Sequence, residues 1–466
     1  MTTLLLTLAC AGEEPPAQTP AETPPTTQLR PPTPGQGGPA AGRGPHPPPP
    51  GLGPPGQPGA PGGPGGAMGP PGGPGGSGAG LQDSSGFPAF HDWPAPTGPG
   101  ITQLGDFSAP FKLTAPPGGG YRPQIAVGAS DQLHAVFYER ADAGDLIRHR
   151  TSMDGETWTP PAPLGFGKDR NWGPDLVTRD DGSIVLVFDH AKPDFTSRGY
   201  LTRWSGGAWS EPEPLTDDDG GEIGSGHVAH GPGDQLAYVW IGKPMSDQHR
   251  FKAWWSWYKD GAWSTPVAWT DGTADAWHTN VERRPDGSVL AGFDVGQGGT
   301  ATTLYVAEGR DGSFSAPEDL TASGEPGERP HFAFGADGTD HITWFHKNAG
   351  KPQHIYVRSG RPGAWGPVAE PSRGFGGFHF DPDIAINSDG VRCLIWGWDA
   401  GSDAEMVYSI DSGSGWTPPR KIADIDWGKP GLASIDVTSN GDFHVVWNQG
   451  VRGKNEVYYA RLRVDG

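Results

Sequence analysis

The chain is poor in cysteine, in methionine, in positive charge and in long apolar runs, and each shortage excludes something. It has 466 residues and two cysteines, Cys10 and Cys393, so no disulfide framework can hold it together. Cys393 sits in the apolar run CLIW and reads as a buried core thiol. Lys and Arg number 34 against 54 Asp and Glu, for a net charge of −20. That balance leaves no basic patch to neutralise phosphates, so a nucleic-acid partner is not expected. No uninterrupted apolar stretch reaches the roughly 18 residues that a membrane-spanning helix needs. Residues 11–100 almost lack large apolar side chains and cannot bury enough surface to offset chain entropy.

Glycine (76), proline (52) and tryptophan (19) are plentiful but unevenly placed. The prolines and glycines crowd residues 11–100, whereas aromatic and β-branched residues fill 101–466. From Gly53, GPPGQPGAPGGPGGA keeps glycine at every third place, slips at Met68 and resumes at Gly69. This resembles a collagen repeat, which needs glycine at that period because nothing larger fits the crowded axis. The run is short and its register breaks, so a disordered, collagen-like Pro/Gly spacer is expected over a trimerising stalk.

The first ten residues, MTTLLLTLAC, form a short apolar run ending at Leu8-Ala9-Cys10. They resemble the end of a bacterial lipoprotein signal. The resemblance implies lipidation of Cys10 and, with Ala11 following, an outer-membrane or cell-surface location in which the lipid is the sole membrane contact. No Lys or Arg precedes the run, and Thr7 stands where that signal usually has Leu. The expected division is therefore 1–10 signal, 11–100 linker and 101–466 folded domain.

The folded part repeats itself. A marker aromatic recurs at Phe107, Trp158, Trp209, Trp263, Phe314, Trp365 and Trp416, 51 residues apart at five of the six steps and 54 at the other. Proline follows three residues later in six copies, and a turn pair such as Asp154-Gly155 or Asp311-Gly312 precedes the marker. Between markers lie hairpins such as GPDLVTRDDGSIVLVFDH, which alternate, turn at a DG-like pair and alternate again into an aromatic. A third short β run follows. Seven such units of four antiparallel strands, A to D, predict an all-β, seven-bladed β-propeller. Strand D is outermost, where proline is tolerated and blocks stray pairing. The last unit lacks a D strand, and the segment around Phe107 is expected to supply it, so the N-terminal strand closes the ring.

The line SMDGETW, Ser152 to Trp158, resembles the Asp-box, or BNR, repeat of sialidase-like propellers, minus one spacer residue. In that family the boxes lie on the face away from the ligand. The resemblance implies a fold rather than an activity, and the motif itself reads as a structural fastener.

Aligning the units on their A–B turns brings seven polar residues to one A-strand position: Gln124, Asp175, His227, Asn280, His331, Asp383 and Ser434. The next position is apolar in every unit. Polar groups on the innermost strand need partners or water, so they line either a water-filled channel or a ligand site at its mouth. Two places upstream stand Arg122, His278, Arg329 and Asp381, and at the ends of the B strands Glu139, Asp189, His190, Asp294, His346 and Asp399. Aromatics enter the same face at Tyr121, Trp172, Trp277, Phe380 and Trp427. Aromatic faces beside planar hydrogen-bonding groups suit sugars. Each aromatic alone reads more plainly as packing between blades.

Sialidases hold a substrate carboxylate with three arginines, the first in a Phe/Tyr-Arg-Ile-Pro motif. Tyr121-Arg122-Pro123 matches it without the Ile, and Arg329-Pro330 is a second copy. Two such arginines facing one channel could fork a carboxylate. No third arginine and no Tyr–Glu pair can be assigned, so the catalytic residues stay unknown. The near-uniform blades leave little loop for a deep pocket. The expectation is a monomeric binding module for a carbohydrate or other small polar ligand. The alternatives are a sialidase-like glycosidase or polysaccharide lyase, and a protein-docking scaffold. His227 and His230 fall on opposite strand faces and make a poor metal pair. The loop TDDDGGE, 216–222, has the acids a Ca²⁺ site uses, although a solvated loop is the plainer reading. No cofactor or metal is expected.

Overall fold

The computed structural model describes residues 103–465 apart from 116–118, 142–143, 166–169, 193–195, 217–220, 244–249, 297–302, 322–325, 347–352, 402, 426–427 and 452–453. The expected signal, linker and Cys10 lie outside these residues. Among the described residues, seven antiparallel sheets of four or five strands account for nearly all of the structure, and the helical content is one 3-10 turn, Ala129–Asp131. The chain is a seven-bladed β-propeller. The A strands of the successive blades are Gly119–Val127, Arg170–Thr178, Glu222–His230, Asp275–Arg283, Glu328–Phe334, Phe378–Ile386 and Lys429–Val437. Each pairs outward with its B strand, then C, then D.

The outer strands follow their prolines. In blades 2, 3 and 4 strand D is split in two, for example Ala208–Trp209 and Glu213–Pro214. Pro212, Pro266 and Pro317 fall in the gaps, because proline has no N–H to give the ladder. The ring closes as expected. Gln103–Phe107 runs antiparallel to the last strand, Lys454–Asp465, with Gln103 opposite Asp465 and Phe107 opposite Leu462. Phe111 and Lys112 continue the pairing against Tyr459 and Tyr458. Phe107 is buried and meets Tyr408 edge-on at 4.8 Å.

The core lies between blades. Leu394 and Trp396 of blade 6, for instance, pack with Phe345, Ile355 and Val357 of blade 5. The seam between blades 4 and 5 also holds a fully buried guanidinium. Arg284 donates from Nε and Nη2 to the two carboxylate oxygens of Asp340, at 2.8 and 2.6 Å, and from Nη1 to Glu308 at 2.8 Å. The turn at Asp154 is a fastener. Asp154 Oδ1 accepts the N–H groups of Glu156 and Thr157 at 2.8 and 2.7 Å, and Gly155 takes φ 70°. A Cβ at Gly155 would lie 2.1 Å from the Tyr459 hydroxyl of blade 7, and Trp158 meets that ring at 5.0 Å.

Candidate functional site

Every A strand carries the same irregularity. The A–B register shifts just before the aligned polar position, between Tyr121 and Gln124 in blade 1 and between Trp172 and Asp175 in blade 2. Blades 3, 5 and 6 shift at the equivalent place, and blades 4 and 7 one residue earlier. A bulge of this kind re-aims side chains. It divides the channel wall into a mouth layer above and a ring below.

The seven ring residues share one chamber, as the alignment predicts. Its volume is about 110 Å³, room for a few waters and too little for a sugar ring. Much of the ring's hydrogen bonding stitches neighbouring blades. Asp383 accepts the N–H of Ile435 on the next blade at 3.1 Å, and Asp175 that of Val228 at 2.9 Å. Ser434 accepts from Ile125 across the ring closure at 3.3 Å, and Asn280 donates to the Pro330 carbonyl at 3.1 Å. His331 sits 3.0 Å from Asp383 and His227 3.4 Å from Asp175. The ring therefore has a structural occupation of its own.

Two carboxyl groups in the channel escaped the alignment. Glu282 and Asp436 lie two residues beyond the ring on their strands, a spacing that strand alternation returns to the same face. Burial, then the nearby charges of Asp383, Asp175 and Asp436, push the Glu282 carboxyl well above its ordinary range. Burial raises Asp436 to about 6, although it accepts the N–H groups of Val127 and Val437. At the far end Arg283 of blade 4 reaches Asp180 of blade 2 and His230 of blade 3. Among the described residues no three His, Cys, Asp or Glu side chains are grouped to hold a metal. The acidic stretch Asp217–Asp219 lies outside them.

The mouth layer is less regular and more reactive. Arg122, Gly173, Ser225, His278 and Arg329 border one narrow crevice of about 60 Å³. A sugar would lie over these groups rather than sink between them. Arg122, Ser225, Arg329 and Asp381 hold φ between 47° and 56°, a left-handed conformation costly for any residue with a Cβ. Arg329 pairs with Asp381 at 3.1 Å and donates from Nε to His278 Nε2, also at 3.1 Å. His278 Nδ1 lies 2.8 Å from Asp294, which is fully buried and also accepts the Arg329 N–H at 2.9 Å. Burial, more than Arg329, lowers the His278 pKa, and Asp294 opposes that shift.

Arg122 makes no hydrogen bond or ion pair within the described residues. Burial and the charge of Arg329 lower its pKa. Two guanidinium groups thus face one another's fields across the mouth, one engaged and one free. Near Arg122, Asp189 is 1% exposed, and the Trp172 indole is the one donor close to its carboxyl, without full hydrogen-bond geometry. Burial raises its carboxyl to about 7, against the opposing pull of Arg122 and the Trp172 indole.

The remaining sequence expectations divide. Trp277 is exposed (43%) on the strand that carries His278. Trp172 is half-buried in a cluster with Phe188, Leu186 and Tyr138, so packing is its first role. Phe380 also packs in a blade seam. Tyr121 stacks on Tyr138 at 5.3 Å. At the B ends Glu139 pairs with Arg148, Asp399 with Lys429, and His190 lies 3.2 Å from Asn171. Trp427 lies outside the described residues.

No family model matches the sequence, and no curated protein matches it either. Solved structures do. An ulvan lyase of a new polysaccharide-lyase family, bound to -[GlcA(1-4)Rha3S]-, matches 77% of this chain and 95% of its own at TM-score 0.53 and 11% identity. The NanB sialidase from Streptococcus pneumoniae matches 78% of this chain and 72% of its own, at 0.45 and 11%. An alpha-L-arabinanase from Penicillium chrysogenum matches 77% and 96%, at 0.45 and 12%. The likeness is one of fold. The neighbours named are propellers that act on glycans, and at such identity no residue of theirs is carried over.

Proposed function

We propose that the channel mouth binds an acidic carbohydrate. A ligand carboxylate lies over Arg122 and Arg329, and a neighbouring sugar face stacks on Trp277. The observation that carries this reading is the unpaired Arg122 guanidinium. A half-buried cation held in a strained backbone conformation without a protein partner is costly to keep, and an anionic ligand relieves that cost. The saccharide on the ulvan lyase contains a glucuronate, a sugar of this charge type. The narrow crevice favours binding along the surface over enclosure.

A second reading, cleavage of that glycan by hydrolysis or elimination, draws on Asp189, whose carboxyl near 7 lies in the range of proton donors. Against it, the carboxyl stands behind Gly173 rather than in the open crevice. For the setting we propose a lipid anchor at Cys10, with the Pro/Gly segment as spacer; labelling with a fatty-acid analogue that a Cys10→Ser variant loses is its test.

The full-length protein is applied to a glycan array and to soluble uronate and neutral oligosaccharides, with product release followed in parallel. Retention of the acidic set that Arg122→Ala abolishes, without new reducing or unsaturated ends, is the expected result. Turnover would replace binding by catalysis. Silence toward every glycan would leave protein docking as the function.

A further inference from the structure

Blades 2 and 4 place an aspartate at the same B-strand position, one residue past the buried aromatics Phe188 and Phe293. In blade 4 Asp294 has His278 and two backbone N–H groups, those of His278 and Arg329, as partners. In blade 2 the residue equivalent to His278 is Gly173, which offers no side chain. A Cβ built there would lie 3.1 Å from Asp189 Oδ2 and 3.7 Å from Arg122 Nη1. A buried carboxyl with no cationic partner and an unpaired guanidinium therefore flank one glycine without touching.

We infer that Asp189 is a positioning residue that switches Arg122 between an outward state, open to an anionic ligand, and an inward state paired with Asp189 across Gly173. The inference rests on the acidic-carbohydrate reading of the mouth and adds its regulation: the ligand is held in mildly acidic surroundings and released above neutrality. A neutral carboxyl tolerates this dry position, whereas an ionised one demands a partner. Arg122 is the cation whose charge reaches it. The missing Cβ at Gly173 leaves the way clear. The other groups in play are Trp172 on its own blade and the Tyr238 phenol of blade 3, which Asp189 helps hold neutral. Arg122 in turn faces Tyr138 of its own blade, and Arg329 and Asp381 across the mouth. The carboxyl near 7 sets the range in which the switch works.

The test uses the full-length protein and a galacturonate trisaccharide, whose carboxylates stay ionised from about pH 5.5 to 8.5. Affinity is expected to weaken about tenfold for each pH unit above neutrality, because the competent fraction falls in proportion. In Asp189→Asn, which fixes the neutral form, affinity stays flat. A wild-type affinity independent of pH, or an unchanged slope in the Asn variant, overturns the switch. If the probe does not bind at any pH, the carbohydrate reading fails by itself, and the switch is then read from the Nε–H NMR resonance of Arg122, assigned through Arg122→Lys. A titration of that resonance near neutrality that Asp189→Asn abolishes supports the switch, and a resonance that does not titrate overturns it.

Discussion

The corners of blades 2 and 4 obey one repeat and arrive at opposite electrostatics. Both bury an aspartate beneath the channel mouth, and both approach it through a bulged A strand, the bulge one residue earlier in blade 4. Blade 4 spends His278 and the backbone around it on its carboxylate, and Arg329 then leans on that histidine. Blade 2 has Gly173 in place of the imidazole, leaves Asp189 without a cation and leaves Arg122 free. The repeat builds the wall, and a single departure from it decides whether a carboxyl is mortar or a moving part.

The largest effect should come from breaking the satisfied corner. Asp294→Ala strands His278 and two backbone N–H groups in a buried place, and a broken buried network of this kind costs about 3–5 kcal/mol. Asp189→Ala removes a group whose one nearby donor is the Trp172 indole, so it should cost about 1 kcal/mol or less. Urea melts of the two variants at pH 7 measure the difference. Equal losses would mean that the two corners are alike after all.

A second effect separates the corners by pH. Burial raises the folded pKa of Asp189 to about 7 from its ordinary 3.8. Between those values the folded state holds a proton that the unfolded state has released. Stability from this group is therefore full below about 4 and declines as pH rises through 7. Asp189→Asn lacks that slope and should gain on the wild type by about 4 kcal/mol over the interval. Buried histidines act in the other direction. Burial lowers His134, His341 and His444 to about 4 and His149 to about 3. Their stability is present above about 6.5 and is lost as pH falls toward those values. Melting temperatures of the wild type and the Asn variant should separate progressively between pH 4 and 7 and run parallel above 7, while the histidines lower both as pH falls below about 6.5.

Much of this architecture was legible because each repeated residue answers a local rule. Alternation set the hairpins, the DG pairs set the turns, and the proline after each marker told which strand was outermost. The ring of seven was found by alignment, yet its work was not, because bonds such as Asp383 to the Ile435 N–H exist only once the blades close into a circle. Glu282 and Asp436 were within reach, since strand alternation from the ring lands on them. Trp172 is legible as an aromatic entering the channel face, but a period marks which face a side chain takes, not how tightly Phe188 and Tyr138 cover it. The contrast between Asp189 and Asp294 turns on Gly173 against His278, a difference visible in the aligned repeats but mute until the distances around Gly173 were known.

The finest comparison concerns strain at the mouth. Arg122 holds φ 47° where blade 2 has Gly173 at 57°. A left-handed residue with a Cβ costs about 1–2 kcal/mol, and Arg122 bears the field of Arg329 as well. Arg122→Gly relieves both, while the added freedom of the unfolded chain takes back roughly 0.5–1 kcal/mol. The variant should thus be more stable than the wild type by about 0.5–1 kcal/mol in a urea melt and at the same time lose the acidic saccharide. Sites kept for binding trade stability in this way. A variant that lost stability would show that Arg122 holds the mouth together, and blade 1 would then belong with blade 4 rather than beside blade 2.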